Sequence, residues 1–296
     1  MNRIKLQAHK GVASECPENT MSAFRCAVMQ GYDVIEIDLE YTKDKKIVVL
    51  HDKFINRTAR LGDGGKIERD VNINTVTLDE ARKYDFGIWL SNKYKGEKIP
   101  LFADVLSLAD KCGIRLKIDN KIQGFPKEIL DIFFNVVKNH QECISITSNS
   151  IEFIGMCLRE LPDTYIDYDG IVTEYILKEL SDAIPRERLT MWLPYECENT
   201  SWVRKLEIPF ADEATAKLVK QYANLGVWIL NSYEDFHDAA LKLNPDIIET
   251  DGTIKPLRLG KQDPNPYWFN IEIFAVIMSN TLKIRQVFSA AFSLYR

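Results

Sequence analysis

An alternating pair of acidic residues is the first feature of this chain that could do chemistry. Glu36 and Asp38 stand inside the run 34–39, whose other members are apolar. Alternate residues of a strand share a face, so both carboxylates are predicted to point the same way, opposite to Ile35 and Ile37. Two neighbouring anions raise each other's pKa unless a cation lies between them. The pair therefore predicts a bound metal ion.

Further polar groups follow other short apolar runs. His9 ends the first run, Asp119 ends a later one, and Lys121 comes two residues after Asp119. A second histidine, His51, follows the strand-like run 46–50. Carboxylates from neighbouring strands, with no Cys or His at ligand spacing, favour Mg²⁺ or Ca²⁺ over zinc.

Each of these residues also has a purely structural interpretation. Histidines beside strands are commonly hydrogen-bonded structural residues, and the acids could be salt-bridge partners of Lys10, Lys117 or Lys121. The remaining histidines, His140 and His237, are expected to be structural. Lys117, on the same predicted face as Asp119, has no assigned role.

Eight short apolar runs alternate with helical patterns and would position these residues. The predicted strands are Leu6–His9, Val34–Leu39, Ile114–Asp119, Ile144–Thr147, Thr164–Tyr168, Leu189–Leu193, Val227–Leu230 and Asp246–Thr250. Predicted helices include Thr20–Gln30, Pro126–Asn139, Ile151–Glu160, Glu213–Leu225 and Glu234–Leu243. The alternation predicts an α/β fold, a (β/α)8 TIM barrel whose active site lies at the carboxyl ends of the strands.

Two segments exceed a minimal barrel. Residues from about 41 to 100 are too long for one crossover between the second and third strands, and insertions there usually build over the catalytic face. Residues 257–296 are predicted to form a C-terminal helical extension to the barrel domain of residues 1–256. Their apolar stripe could pack on the barrel, or serve self-association or contact with a membrane surface.

Composition excludes several classes of protein. The chain has 296 residues and a net charge of −5, so nothing attracts nucleic acid or anionic lipid in general. No apolar run approaches the roughly 18 residues that a membrane span needs. The six cysteines form no CxxC pair, and the N-terminus lacks the apolar core of a secretion signal, so a cytoplasmic protein with reduced thiols is expected.

Several motifs, in order and spacing, resemble the glycerophosphodiester phosphodiesterase family. They cover about residues 4–256. The matching segments are Ala8-His9-Lys10-Gly11, Pro17-Glu18-Asn19-Thr20, Glu36-Ile37-Asp38, Leu50-His51-Asp52, Arg57-Thr58, Asp85-Phe86-Gly87, Gly226-Val227-Trp228 and Glu249-Thr250-Asp251. So many ordered matches are more specific than any single motif.

The resemblance implies a hydrolase of glycerol and lipid metabolism that converts glycerophosphodiesters to glycerol 3-phosphate and an alcohol, with one divalent cation. It implies that His9 and His51 are the acid/base pair. The implied metal ligands are Glu36, Asp38 and Asp119, and the implied phosphate or substrate contacts are Lys10, Lys121, Glu18 and Trp228.

Two positions depart from the family pattern. Lys10 stands where the family usually has arginine, which exchanges a planar fork of donors for a compact charge. Asp119 stands where the family usually has glutamate, which shortens the side chain by one methylene. Lys10 and Asp119 keep the charges of the family's residues, so we expect altered phosphate orientation and metal affinity and no loss of activity. The sequence leaves two alternatives open: a phospholipase-type or lysophospholipase D-like enzyme of the same barrel acting on lipids, and a noncatalytic phosphate-binding barrel.

Overall fold

Eight parallel strands close into a barrel in the computed structural model, which describes residues 3–206 and 208–256. The strands are β1 Lys5–Ala8, β2 Val34–Ile37, β3 Leu39–Tyr41, β4 Ile47–Val49, β5 Arg115–Ile118, β6 Ile144–Ser148, β7 Tyr165–Tyr168, β8 Leu189–Pro194, β9 Asn224–Trp228 and β10 Ile247–Thr250. β3 and β4 pair only with each other, as an antiparallel ribbon, and the other eight form the barrel, which closes where β1 pairs with β10. The predicted TIM barrel is confirmed.

Helices lie between the barrel strands, apart from α2 in the insertion, and several of them begin at side-chain caps. They are α1 Met21–Gln30, α2 Leu78–Ala81, α3 Phe102–Cys112, α4 Lys127–Val137, α5 Ile151–Glu160, α6 Glu174–Ala183, α7 Glu213–Tyr222 and α8 Tyr233–Lys242. Thr20, Ser150 and Ser232 each accept a hydrogen bond from a backbone N–H of the first turn of the helix that follows. Such caps satisfy donors that have no partner within the helix.

Large apolar side chains fill the core on both faces of the barrel strands. Ile35 and Ile37, the apolar alternates of β2, are fully buried as the alternation predicts. Inside the barrel, the indole of Trp192 lies against Gly226, where an added Cβ would come within 2.6 Å of the Trp192 ring. The glycine is therefore required by the close approach of a large side chain.

The structure corrects several predicted boundaries. The predicted strand Val34–Leu39 ends at Ile37, because Leu39 pairs with Val49 in the antiparallel ribbon and the chain leaves the barrel at Asp38. The predicted helix Glu213–Leu225 ends at Tyr222, and the following strand begins at Asn224 instead of Val227. Only Ala223 separates this helix from this strand, so no run of turn residues marks where one period replaces the other.

Residues 38–101 separate β2 from α3 and have a small apolar core of their own. They contain the β3–β4 ribbon, short 3₁₀ turns and α2. The buried cluster consists of Val48, Leu50, Ile55, Ala59, Val71, Ile73, Leu78, Ala81, Phe86 and Ile99. The ribbon is joined to the barrel by a hydrogen bond from the Leu50 N–H to the Asp38 carbonyl, 3.0 Å long.

Within the described ranges, no helix combines the length and the apolarity needed to cross a bilayer. The predicted C-terminal helical extension, residues 257–296, lies outside the described residues.

Candidate active site

Three carboxylates meet at the carboxyl end of the barrel. Glu36 lies in β2, Asp38 directly follows β2, and Asp119 directly follows β5, the strand that pairs with β2. One oxygen from each residue lies within 4.8 Å of the other two. Glu36 and Asp38 are almost completely buried, with 3% and 2% of their surface exposed. The structure thus brings the three predicted metal ligands together.

The electrostatics of this cluster favour a cation. Burial, followed by the charge of Asp38, raises the pKa of Glu36 to about 8. Burial and the charge of Asp38 also raise the pKa of Asp119. Burial likewise opposes ionisation of Asp38, but Lys121 and His51 outweigh it and lower the pKa of Asp38 to about 2. The acids therefore hold more negative charge than their neighbours balance, and this set of oxygen donors suits a hard divalent cation.

Asp38 is held on both of its oxygens. One oxygen accepts a hydrogen bond from Asn19 Nδ2 at 2.8 Å, and the other accepts one from Lys121 Nζ at 2.6 Å. Lys121 Nζ also donates to the backbone carbonyl of His51 at 2.7 Å. Asn19 has a left-handed backbone, φ 55°, a conformation that asparagine tolerates better than most residues. Lys121 therefore connects the acidic cluster to the segment that carries His51.

His9 follows β1 and is oriented by a carboxylate at the end of the last strand. Its Nδ1 lies 2.6 Å from Asp251 Oδ1, and Asp251 in turn accepts a hydrogen bond from the Asn231 side chain. Burial lowers the pKa of His9, but the hydrogen bond to Asp251 and the charges of Glu249 and Glu36 outweigh this, and the net effect raises it to about 9. With Nδ1 bound to Asp251, Nε2 is the nitrogen that remains for proton exchange.

His51 is oriented in the same way, by its neighbour in sequence. Its Nδ1 lies 2.5 Å from Asp52 Oδ1. The other Asp52 oxygen accepts from Arg57 Nε at 2.5 Å, and the two terminal nitrogens of Arg57 each donate to one oxygen of Glu18 at 2.7 Å. Arg57 thus fixes two carboxylates at once, which is a geometry that lysine cannot reproduce.

Lys10 joins this network to the acidic cluster. Its ammonium lies 3.7 Å from Glu18 Oε1, and its backbone N–H donates to Glu36 Oε2 at 2.8 Å. A cavity of about 380 Å³ opens beside it, lined by His9, Lys10 and Glu18 together with Ala13, Ser14, Asn231, Asp251 and Thr253. The predicted phosphate-binding lysine and one predicted catalytic histidine therefore line the same cavity.

Trp228 and Lys117 do not line the cavity beside Lys10. Trp228, predicted to contact substrate, ends β9, and its ring lies 5.9 Å from that of Trp202 and packs on the interior cluster around Trp192. Lys117 is buried inside the barrel, 3.3 Å from Glu249 Oε2 and 3.9 Å from the centre of the Trp192 ring. Lys117 therefore has a structural partner, which sequence inspection does not identify.

Sequence reasoning assigned no role to five residues that orient the site, although the first four fall inside the matched motifs. They are Asn19, Asp52, Arg57, Asp251 and Asn231. Membership of those motifs is the signal that the sequence offers for the first four, and Asp52 and Asn19 also adjoin the predicted residues His51 and Glu18. Their contacts depend on tertiary structure, and the pair His9–Asp251 spans almost the whole described chain.

A comparison with family models gives a match over residues 9–165 to the glycerophosphoryl diester phosphodiesterase family. The chain belongs to this family. The matched range contains every predicted site residue except Trp228, and the predicted resemblance is confirmed.

Individual members of the glycerophosphoryl diester phosphodiesterase family show how far the similarity extends. A glycerophosphodiester phosphodiesterase of Caldanaerobacter subterraneus is 40% identical over 101 residues, which cover 34% of this chain and 38% of that protein. The chain thus spans well under two thirds of the length of this curated relative. Human lysophospholipase D GDPD1 is 24% identical over 78% of each chain.

A solved structure supports the fold. A phosphodiesterase of Oleispira antarctica, crystallised with the product sn-glycerol-3-phosphate, superposes with a TM-score of 0.66 at 19% identity. The match covers 84% of this chain and 93% of that one.

Proposed function

We propose that this chain hydrolyses glycerophosphodiesters to glycerol 3-phosphate and an alcohol. The observation that carries the proposal is the pair of histidine–aspartate contacts, His9 with Asp251 and His51 with Asp52, beside a cluster of three carboxylates. Two imidazoles that are each fixed at Nδ1 can serve as proton donor and proton acceptor. Family membership and a relative crystallised with glycerol 3-phosphate agree with this chemistry.

The reaction needs one acid and one base. One histidine takes the proton of the glycerol 2-hydroxyl, whose oxygen attacks phosphorus. The other histidine gives a proton to the departing alcohol oxygen as its bond to phosphorus breaks. Water then opens the cyclic phosphate with the two roles reversed, so each histidine returns to its starting state. Adjacency of the hydroxyl to phosphorus contributes several kcal/mol to the rate enhancement.

Glu36, Asp38 and Asp119 are proposed to hold one divalent cation, Mg²⁺ or Ca²⁺. When bound, the cation would neutralise charge on a nonbridging phosphate oxygen. Lys10, at the cavity beside His9, is proposed to bind the phosphate, and Glu18 to position Lys10 and Arg57. Lys10 in place of arginine and Asp119 in place of glutamate keep the charges of the site and are proposed to tune it.

The proposal is tested by turnover of a panel of glycerophosphodiesters before and after treatment with a chelator. We expect release of glycerol 3-phosphate that stops with the chelator and returns when Mg²⁺ or Ca²⁺ is added back. Binding of a diester without any turnover under both cations would overturn the enzymatic proposal and favour the noncatalytic phosphate-binding barrel.

A second candidate function is hydrolysis of lysophospholipids. It is favoured by the similarity to human lysophospholipase D GDPD1 and by exposed apolar side chains that follow β7 and β8 in the chain. They are Ile171 between β7 and α6, Tyr175 in the first turn of α6, and Trp202 between β8 and α7. These positions follow the carboxyl ends of barrel strands and so lie on the face of the candidate active site.

Parallel assays of glycerophosphocholine and lysophosphatidylcholine separate the two functions. If glycerophosphodiesters are the substrates, we expect kcat/KM to be higher for glycerophosphocholine and unchanged in Trp202→Ala. A higher kcat/KM for lysophosphatidylcholine that falls in Trp202→Ala would favour the lipid substrate.

A cytoplasmic location and the absence of nucleic-acid partners remain predictions from composition.

A further inference from the structure

A second cluster of metal-ligating side chains lies at the opposite end of the barrel. Asp110 stands in the last turn of α3, just before β5, and His140 and Cys143 lie in the connection just before β6. These connections lead into the amino ends of their strands, whereas Glu36, Asp38 and Asp119 stand at the carboxyl ends. The second cluster is therefore separated from the candidate active site by the length of the barrel.

The three side chains converge. His140 Nδ1 lies 2.7 Å from Asp110 Oδ2, and Cys143 Sγ lies 3.3 Å from Asp110 Oδ1. One ligand atom from each of the three residues lies within 4.8 Å of the other two. The fold therefore already places one ligand atom of each residue around a common centre.

The backbone explains why His140 and Cys143 face the same way. His140 immediately precedes the 3₁₀ turn Gln141–Cys143, and residues three apart in such a turn lie on the same side. The turn is closed by a hydrogen bond from the Cys143 N–H to the His140 carbonyl at 3.0 Å, and the His140 N–H is bound to the Val137 carbonyl at 2.8 Å. Main-chain hydrogen bonds thus fix the backbone positions from which the His140 and Cys143 side chains extend.

We propose that Asp110, His140 and Cys143 form a binding site for a borderline-soft divalent metal ion of the zinc class. A thiolate, an imidazole and a carboxylate are the ligand types that Zn²⁺ uses, whereas Mg²⁺ and Ca²⁺ prefer oxygen alone. Three protein ligands leave a fourth tetrahedral position for water or another donor. On binding, the thiol of Cys143 releases its proton to solvent and the sulfur becomes a ligand.

The surroundings leave room for the ion and its fourth ligand. A cavity of about 390 Å³ borders the three residues. Asp110, Glu142 and Asp163 line it with three negative charges, against the positive charges of Lys138 in the lining and of Arg188, which lies 3.4 Å from Asp163. The cavity therefore offers both access from solvent and an electrostatic preference for a cation.

Cobalt substitution tests the site without relying on activity. The full chain, reduced with a reductant that contains no thiol, is titrated with Co²⁺ and followed by absorption. A cobalt–thiolate bond gives a charge-transfer band that the oxygen ligands of the acidic cluster cannot give. We expect a band that saturates at one equivalent, is displaced by Zn²⁺, and persists in Glu36→Gln, which alters only the acidic cluster.

Matched variants assign the band to these residues. Cys143→Ser is expected to abolish it, and His140→Gln to weaken Co²⁺ affinity more than about tenfold, since even loss of outer-shell partners costs about 10–100-fold. Cys112→Ser, at the exposed cysteine that ends α3, is the control and should leave the band unchanged. Circular dichroism confirms that each variant is folded.

Two results would overturn the proposal. The first is no band in the wild-type chain while Cys143 still reacts with a thiol reagent, which would leave only a salt bridge and a thiol hydrogen bond at this position. The second is a band that survives in Cys143→Ser.

Discussion

At the scale of single residues, the candidate site depends on how each imidazole is held. His9 and His51 each bind an aspartate through Nδ1, and those aspartates are themselves hydrogen-bonded, to Asn231 and to Arg57. Such outer contacts fix the tautomer and the orientation of a histidine ring. The two proposed proton-transfer groups are therefore held by separate hydrogen-bond partners.

Removal of either histidine should abolish most of the activity. We expect His9→Ala and His51→Ala each to lower kcat on glycerophosphocholine by about 10²–10⁴-fold, because general acid and base catalysis contribute that much. His237→Ala, on α8, is the control and should stay within about twofold of wild type, because no step of the proposed chemistry involves it. A fall in activity in His237→Ala equal to that of the other two variants would argue against the assigned roles.

Arg57 should act through His51. Arg57→Lys keeps the positive charge but cannot bind Asp52 and Glu18 together, so the orientation of His51 is lost. We expect kcat to fall by about tenfold or more with little change in KM, since misplacement of a catalytic group can cost about 10²-fold. Arg69→Ala, at an exposed arginine, serves as the control. A rise in KM as large as the expected fall in kcat, with kcat itself unchanged, would instead place Arg57 in substrate binding.

At the scale of elements, the insertion between β2 and α3 is organised around a buried carboxylate. Asp85 is 2% exposed and accepts backbone N–H bonds from Gly87, Ile88 and Gly96 at 2.8, 2.9 and 2.6 Å. Burial raises the pKa of Asp85, but these three donors outweigh it and lower the pKa below its ordinary value of 3.8. Ionised Asp85 therefore stabilises the fold of the insertion.

The stability contributed by Asp85 should depend on pH. Because its pKa is lower in the folded state, its charge stabilises the protein above the ordinary pKa, and this contribution disappears as pH falls through the lowered pKa. We expect Asp85→Ala to cost about 1–3 kcal/mol at neutral pH, since its donors lose a buried partner. For Asp85→Asn, the loss should shrink under acid conditions, as measured by urea unfolding.

The exposed Asp79 provides a control for this measurement. Asp79→Asn should change the free energy of unfolding little at any pH, because surface substitutions usually have small effects. A deficit in Asp85→Asn that is the same at neutral and acid pH would contradict the proposed contribution of its charge.

At the scale of the whole molecule, the proposed metal site would couple folding to metal binding. Glu36, Asp38 and Asp119 repel one another in the folded chain, and a cation bound between them would relieve that repulsion. We expect Mg²⁺ or Ca²⁺ to raise the free energy of unfolding by about 2.7 kcal/mol at a hundred times Kd. Thermal unfolding of Glu36→Gln should show a more stable metal-free protein and a smaller gain with metal. An equal gain in both proteins would show that the cation binds elsewhere.

Sequence inspection was sufficient for the barrel and for the convergence of its acids. The alternation of Glu36 with Asp38, and the position of Asp119 after another apolar run, placed three carboxylates at strand ends, and parallel neighbouring strands necessarily bring such ends together. The burial of Ile35 and Ile37 on the face opposite to Glu36 follows from the period of two.

The supporting residues could not be predicted from the sequence. Asp251 contacts His9 across the closure of the barrel, and Arg57 reaches Glu18 from the insertion. Neither contact leaves a periodic signal, because each depends on how distant segments fold against one another. The partner of Lys117 could not be predicted for the same reason, because Glu249 lies on a strand far along the chain.

The two imidazoles are carried by different pieces of architecture. His9 stands on the barrel itself, whereas His51 follows β4 and belongs to the ribbon that leaves the barrel at Asp38. One half of the proposed proton-transfer pair thus belongs to the insertion and not to the barrel. Exchange of residues 58–101 would leave in place both His9 on its strand and the Asp52–Arg57 contact that orients His51, which makes this stretch of the insertion a natural target for redesign.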